Sequence, residues 1–307
     1  MSAHVPSDDG AIDQDHRRSR IEVQRFGEAQ AFLDEVGPFL AEREAEHNLL
    51  FGIAATLIID PDRYGDRPYL AAIKDEGEVV AAALMTPPYN VVVSLVEHPD
   101  AIAALGHDLG RSRLPVPGIA APVDVARQFV EMWTERHGVN ARLAVSERVY
   151  RVERITPPTG VPGTIRVATH GDRDLLIEWL RAFLREALDG YGESETETLV
   201  DSALETGSRT FYLWEDEGRP VSMAGSTGPT PNGIRLGPVY TPPDLRRRGY
   251  GGAITAAVSQ AQLDAGRRFV FLFTDLKNPT SNKIYQAIGY EPVIDVDQWS
   301  FEPVPKP

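Results

Sequence analysis

The stretch that most limits what this chain can become runs from Ile234 to about Ala265. Ile234 to Tyr240 is a β-compatible run. It leads through Thr241-Pro242-Pro243-Asp244 into Leu245-Arg246-Arg247-Arg248-Gly249-Tyr250-Gly251-Gly252-Ala253, and that loop opens directly into a helix-forming segment. Strand, amide-rich loop and helix N-terminus in this order predict an α/β unit with an anion site at its junction. The first N–H groups of a helix have no intrahelical partner, and the helix dipole adds positive potential there. The glycines let a ligand approach the backbone closely.

Two familiar phosphate loops do not fit. No Gly-Lys-Ser/Thr follows the glycines, Gly-x-Gly-x-x-Gly is absent, and a hairpin rather than a βαβ unit precedes the loop. Arg246-x-x-Gly249-x-Gly251, after Gly237-Pro238-Val239-Tyr240 and before a helix, instead resembles the acyl-CoA pyrophosphate loop of the GNAT superfamily of N-acetyltransferases. About 30 residues on, Asn278-Pro279-Thr280-Ser281-Asn282-Lys283-Ile284-Tyr285-Gln286-Ala287-Ile288-Gly289-Tyr290 is similar to that family's Asn and Tyr-bearing helix, which ends in Gly-Phe or Gly-Tyr. The resemblance covers about Thr164 to Pro303.

The resemblance implies an acetyl-CoA-dependent transferase acting on a primary amine of a small molecule or peptide by direct attack. Arg246, Arg247, Arg248, Gly249, Tyr250, Gly251 and Gly252 would hold the pyrophosphate. Val239 and Tyr240 match the strand that pairs with the pantetheine arm and stabilises the oxyanion. Asn278 matches the position that contacts the arm or orients the amine. Tyr285 matches the general acid for the leaving thiolate, a role that suits a phenol protonated at neutral pH. No general base can be read; Glu215, Glu193 and His170 are loose candidates, and a base acting through water stays open. The rival readings are a non-catalytic acyl-CoA-binding regulator, a different acyl donor, or a hydroxyl acceptor.

Upstream, the chain shows the same order of elements a first time. Lys74-Asp75-Glu76-Gly77 before Val79-Val80 parallels Glu215-Asp216-Glu217-Gly218 before Val221, each between two strands and each downstream of helical stretches. The repeat spans about 140 residues, the size of a domain and too long for a solenoid unit. The expected fold is therefore α/β: two GNAT-like domains, each a mixed, mostly antiparallel twisted sheet flanked by helices. Residues 1–20 read as a disordered tail, 21–156 as a degenerate GNAT-like domain, 157–163 as a Pro/Gly linker and 164–307 as the catalytic domain. The first half has no Arg-x-x-Gly-x-Gly where the loop is expected, around Gly118 to Pro122. Within that half a helical stretch from Glu28 to Leu50 is expected to break at Gly37-Pro38.

Composition narrows the chemistry. The absence of cysteine excludes disulfides, thiolate metal sites and a cysteine nucleophile. The seven histidines are singletons without the i, i+4 spacing of a helical zinc site, so no metal is expected. A formal charge of −14 argues against a nucleic-acid partner and suits a cationic acceptor. No apolar run spans a bilayer and no signal segment opens the chain, which predicts a cytoplasmic protein without a membrane partner.

Overall fold

Two hairpins with the same turn chemistry mark the two halves of the computed structural model. Glu76-Gly77 and Glu217-Gly218 connect their strands with φ of 49° and 94° in the first and 51° and 75° in the second. Consecutive positive φ values are what a two-residue type I′ turn requires, and glycine supplies the second without steric cost. The structure describes residues 21–65, 67–187 and 192–304, so the tail read at 1–20 lies outside it.

Around these hairpins one succession of elements occurs twice. The first pass is β1 (Ile21–Phe26), α1 (Ala29–Glu42), α2 (Asn48–Ile59), β2 (Tyr69–Asp75), β3 (Glu78–Met85), β4 (Val91–Val93), α3 (Ala101–Ser112), β5 (Gly118–Pro122), α4 (Val123–His137) and β6 (Val139–Val152). The second is β7 (Thr164–Val167), α5 (Arg173–Ala187), α6 (Thr196–Thr206), β8 (Arg209–Asp216), β9 (Arg219–Pro229), β10 (Gly233–Tyr240), α7 (Tyr250–Asp264), β11 (Phe269–Asp275), α8 (Pro279–Ala287) and β12 (Glu291–Pro303).

The fold is α/β, with a mixed, mostly antiparallel sheet flanked by helices. The two expected sheets are joined into one of 12 strands, in the order β1-β2-β3-β4-β5-β12-β6-β11-β10-β9-β8-β7. Among the described residues only β4 with β5 and β10 with β11 run parallel. The order is symmetric about its centre, and there the last strands of the two halves have traded places. β12 lies against β5 of the first half, and β6 lies against β11 of the second. The two long strands also pair with each other from Val139↔Pro303 to Arg151↔Glu291. Tyr150 and Val152 of β6 are thereby buried in one apolar cluster with Val270, Leu272, Ile288 and Tyr290 of the second half.

Helices cover both faces. In the first half α1 and α2 bury Phe32, Val36, Leu40, Leu50 and Phe51 on one face, while α3 and α4 bury Leu105, Leu109, Phe129 and Trp133 on the other. In the second, Leu176, Leu180 and Val200 of α5 and α6 oppose Ala253, Ile254 and Val258 of α7.

Several boundaries differ from the sequence reading. α1 continues through Gly37-Pro38, and the break comes later, at residues 43–47. Phe32, Val36 and Leu40 lie on either side of the proline and all are 0% exposed. Burying three such side chains at about 1.5–3 kcal/mol each outweighs a cost of about 3 kcal/mol for one helical proline. Gly118 to Pro122 is a buried strand and not the counterpart of the Arg/Gly loop. That counterpart is the connection from β4 to α3, Ser94 to Asp100. The helix expected from Ala253 starts at Tyr250, which places Gly251 and Gly252 inside its first turn.

Candidate active site

β10 and β11 are hydrogen-bonded only from Gly233↔Phe269 to Arg235↔Phe271, and beyond that point they carry no pairing with each other. β10 keeps β9 on its other side, but Gly237 and Pro238 stand opposite the single residue Gly225, between Leu236↔Ser226 and Val239↔Ala224. This bulge re-aims the backbone beside an opening between two parallel strands. Gly237 has φ 149°, a region in which a side chain is disfavoured. Val239 and Tyr240, the residues expected along the pantetheine arm, complete the strand past the bulge.

Past Tyr240 the chain makes a short turn, Pro243–Leu245, and enters the Arg/Gly loop. Arg247 and Gly249 both have positive φ, 65° and 87°. A Cβ at Gly249 would also stand 2.7 Å from Val161 Cγ2, so this position has no room for a larger residue. The first helical amide to find a backbone carbonyl is Ala253 N–H, which donates to Gly249 O at 3.0 Å. The amides from Arg247 to Gly252 donate to none among the described residues. Free N–H groups in succession at a helix N-terminus are suited to an anion.

The three arginines divide their tasks. Arg246 Nη2 donates to Glu186 Oε2 at 2.6 Å and its Nε to Thr241 O at 2.8 Å, so it braces the loop against α5. Arg247 and Arg248 are exposed, and neither forms an ion pair among the described residues. Tyr250 is buried, with its hydroxyl donating to Asp216 Oδ2 at 2.5 Å. A Cβ at Gly252 would stand 3.3 Å from Ile284 Cγ2, so that glycine lets α7 and α8 approach.

α8 forms the other wall. Asn278 is its N-cap, and Asn278 Oδ1 accepts from Ser281 N–H at 3.1 Å. That oxygen serves the helix, as capping asparagines do. Tyr285 packs against the core of the second half, and burial pushes its phenol up to about 12. Its ring lies 6.5 Å from that of Tyr150, whose hydroxyl donates to Asn282 Oδ1 at 3.0 Å. The exchanged strand thus carries a tyrosine of the first half to the second half's site. Trp214 turns into the core, with Nε1 donating to Pro162 O at 2.9 Å, and Phe183 packs on the α5 cluster. Tyr191 lies outside the described residues.

The loose base candidates are engaged elsewhere. Glu215 accepts from Arg166 Nε at 2.7 Å, Glu193 is paired with Arg185, and His170 is exposed in a turn. The carboxyl that sequence reasoning missed is Glu147. It lies on β6 opposite Asp275 of β11, four residues past the last residue of β11 that pairs with β10. Burial raises its pKa, against the 2.6 Å hydrogen bond from Gln298 Nε2. Only the strand exchange puts it here, so no local pattern could have pointed to it.

The first half has the matching pieces in a closed form. Ser94 N–H donates to Ala82 O at 2.9 Å, Leu95 N–H to His47 Nε2 at 3.1 Å and Glu97 N–H to Val80 O at 3.0 Å. Burial lowers the pKa of His47, and its neutral ring donates from Nδ1 to Leu40 O at 3.0 Å while accepting on Nε2. Phe129 stands seven residues after the N-cap Pro122 of α4, as Tyr285 stands seven after Asn278, and it has no hydroxyl to give.

Residues 174–290 match the model of the acetyltransferase (GNAT) family. This part of the chain is a GNAT acetyltransferase domain. The GNAT domain contains the bulge, the loop, Asn278 and Tyr285. Solved structures extend the likeness over both halves. A Drosophila protein from a structural genomics consortium superposes with a TM-score of 0.67 at 14% identity, over 92% of this chain and 98% of that one. A GCN5-related N-acetyltransferase from Sphaerobacter thermophilus gives 0.56 at 17% identity, over 94% and 98%. A tandem GNAT protein from the clavulanic acid biosynthesis pathway gives 0.54 at 14%, over 94% and 100%. At such identities the likeness is one of fold. No curated protein matches the sequence. Among the described residues no helix is long and apolar enough to cross a membrane.

Proposed function

We propose that the chain is a cytoplasmic N-acetyltransferase built of two GNAT-like units, 21–156 and 164–307 joined by 157–163, in which only the second binds acetyl-CoA. The observation that carries this reading is the run of unpaired amides from Arg247 to Gly252, set beside the opening of β10 from β11. Those amides, with Arg247 and Arg248, suit a pyrophosphate. Acetyl-CoA would supply the activated acyl group, and the backbone of the bulge and of Val239 would bind its carbonyl oxygen. Glu147 takes the proton that leaves the acceptor amine. The nitrogen bonds to the acyl carbon as the carbon–sulfur bond breaks, and Tyr285 gives its proton to the departing sulfur.

Calorimetry with acetyl-CoA tests the loop. One molecule should bind per chain, and Gly249→Val, checked for its fold by circular dichroism, should bind none. Unchanged affinity in a folded variant would remove the loop from the site. Release of CoA thiol on addition of an amine separates an enzyme from a binding protein.

A further inference from the structure

The opposite face of the sheet, away from α7, carries a charged group that the acyl-transfer reading does not use. Arg209 on β8 and Arg235 on β10 are both cross-strand partners of Thr227 on β9, so their side chains leave the same face of the sheet in one row. β9 leaves room for them with glycines. A Cβ at Gly225 would stand 3.3 Å from Arg209 Nη1, and one at Gly228 would stand 3.4 Å from Arg235 Nη2.

Neither guanidinium forms an ion pair among the described residues. Arg209 Nη1 donates to Gly237 O at 2.6 Å, while Arg235 Nη1 is buried without any hydrogen-bond partner. Burial, and then the charge of Arg235, push Arg209 down to about 10. Burial also lowers Arg235, against the influence of Tyr64 and Glu147. Arg63 adds a further positive charge near Arg209. Two adjacent half-buried cations, one with a buried and unmet donor, are expensive to keep, and a chain of net charge −14 has no shortage of carboxylates to pair them. A planar guanidinium fork is matched by a carboxylate, which accepts two parallel N–H bonds.

The position relates this pair to the reaction. Gly237, whose carbonyl Arg209 holds, is part of the β10 bulge, so an anion gripped by the pair lies within a few bonds of the place where the acyl group is transferred. Tyr240, at the other end of β10, is five residues beyond Arg235, and the Arg/Gly loop starts past it at Leu245, which separates the pair from the pyrophosphate amides. We propose that Arg209 and Arg235 form a carboxylate-binding subsite, so that one partner in the transfer bears a free carboxylate: an amino-acid-like acceptor or a dicarboxylic acyl donor. The assignment to a substrate rests on the acyl-transfer reading.

Two kinetic arms distinguish the sources, using the full chain. The first compares phenylalanine with phenethylamine and alanine with ethylamine as acceptors for acetyl-CoA. The second compares succinyl-CoA with acetyl-CoA on phenethylamine. In one arm the carboxylate-bearing member is expected to have a kcat/KM about 10- to 100-fold higher, as charge-assisted hydrogen bonds allow. Arg235→Gln and Arg209→Gln should erase that ratio and Arg235→Lys restore part of it, with acetyl-CoA affinity and melting temperature not lowered. Equal kcat/KM in both arms, or a preference that survives both Gln variants, overturns the subsite. Wild-type protein that binds no acetyl-CoA overturns the acyl-transfer reading instead. The subsite is then decided by calorimetry with succinate: affinity lost in Arg235→Gln upholds it, and no wild-type affinity refutes it.

Discussion

The proposed acid and base come from opposite halves of the chain, and burial shifts both upward. Tyr285 at about 12 keeps its proton throughout any ordinary assay, which suits a donor to a thiolate. Tyr285→Phe should lower kcat by about 100-fold or more while leaving acetyl-CoA affinity within about twofold; stopped-flow turnover beside calorimetry checks both, and full activity would end the assignment. Glu147 works in the opposite sense, because a base must be deprotonated. Its raised pKa should set an acid limb of kcat/KM above the ordinary glutamate range, and Glu147→Gln should remove the limb along with most of the rate. The linked effect on stability has a definite sign. The folded chain keeps this proton to higher pH than the unfolded chain, so the contribution of Glu147 falls as pH rises through its ordinary pKa and on to its raised one. Denaturant titrations across that window should show a slope that Glu147→Gln abolishes.

At the level of elements, the connection between α1 and α2 touches the turn between β9 and β10 of the second half. Glu44 is buried, accepting from Asn232 N–H at 2.8 Å and from Asn232 Nδ2 at 2.7 Å, and it also bonds the Thr230 hydroxyl. It caps the turn that sets β10 in register with β9. Close by, a Cβ on Gly52 of α2 would stand 2.9 Å from Gly228 Cα. Glu44→Ala should cost about 2–3 kcal/mol, because it strands buried donors, and a urea titration measures it. A loss under about 0.5 kcal/mol would mean that the contact is solvated. Sequence pattern revealed most of the strands and helices and the Arg/Gly loop, since each carries its own periodicity or its own glycines. It could not reveal Glu44, Glu147, Arg209 or Arg235, whose roles come from contacts between distant segments. It also misplaced the silent loop of the first half, because a buried strand such as Gly118 to Pro122 has no polar alternation to distinguish it from a turn.

For the molecule as a whole, the exchange of β6 and β12 makes each half the completion of the other. Residues 164–307 alone would leave β11 as an open edge and take Tyr150 from the core, and residues 21–156 alone would leave β5 without its neighbour. Each half made separately is expected to aggregate, as unpaired apolar edges do, whereas the two produced together should reassemble into a soluble complex that binds one acetyl-CoA. Size-exclusion chromatography of the pair and of each half decides this, and a stable monomeric half would refute it. The same exchange also sets a clock. β5 ends at Pro122 and meets a strand that begins at Glu291, so the centre of the sheet closes only across a very long loop. Contacts of such high order are slow to form, and the nascent chain must keep the edge of β5 covered until nearly all of its partner's half has been synthesised. Refolding of the full chain should be slow and assisted by chaperones, with native-like hairpins appearing well before the site that depends on β6.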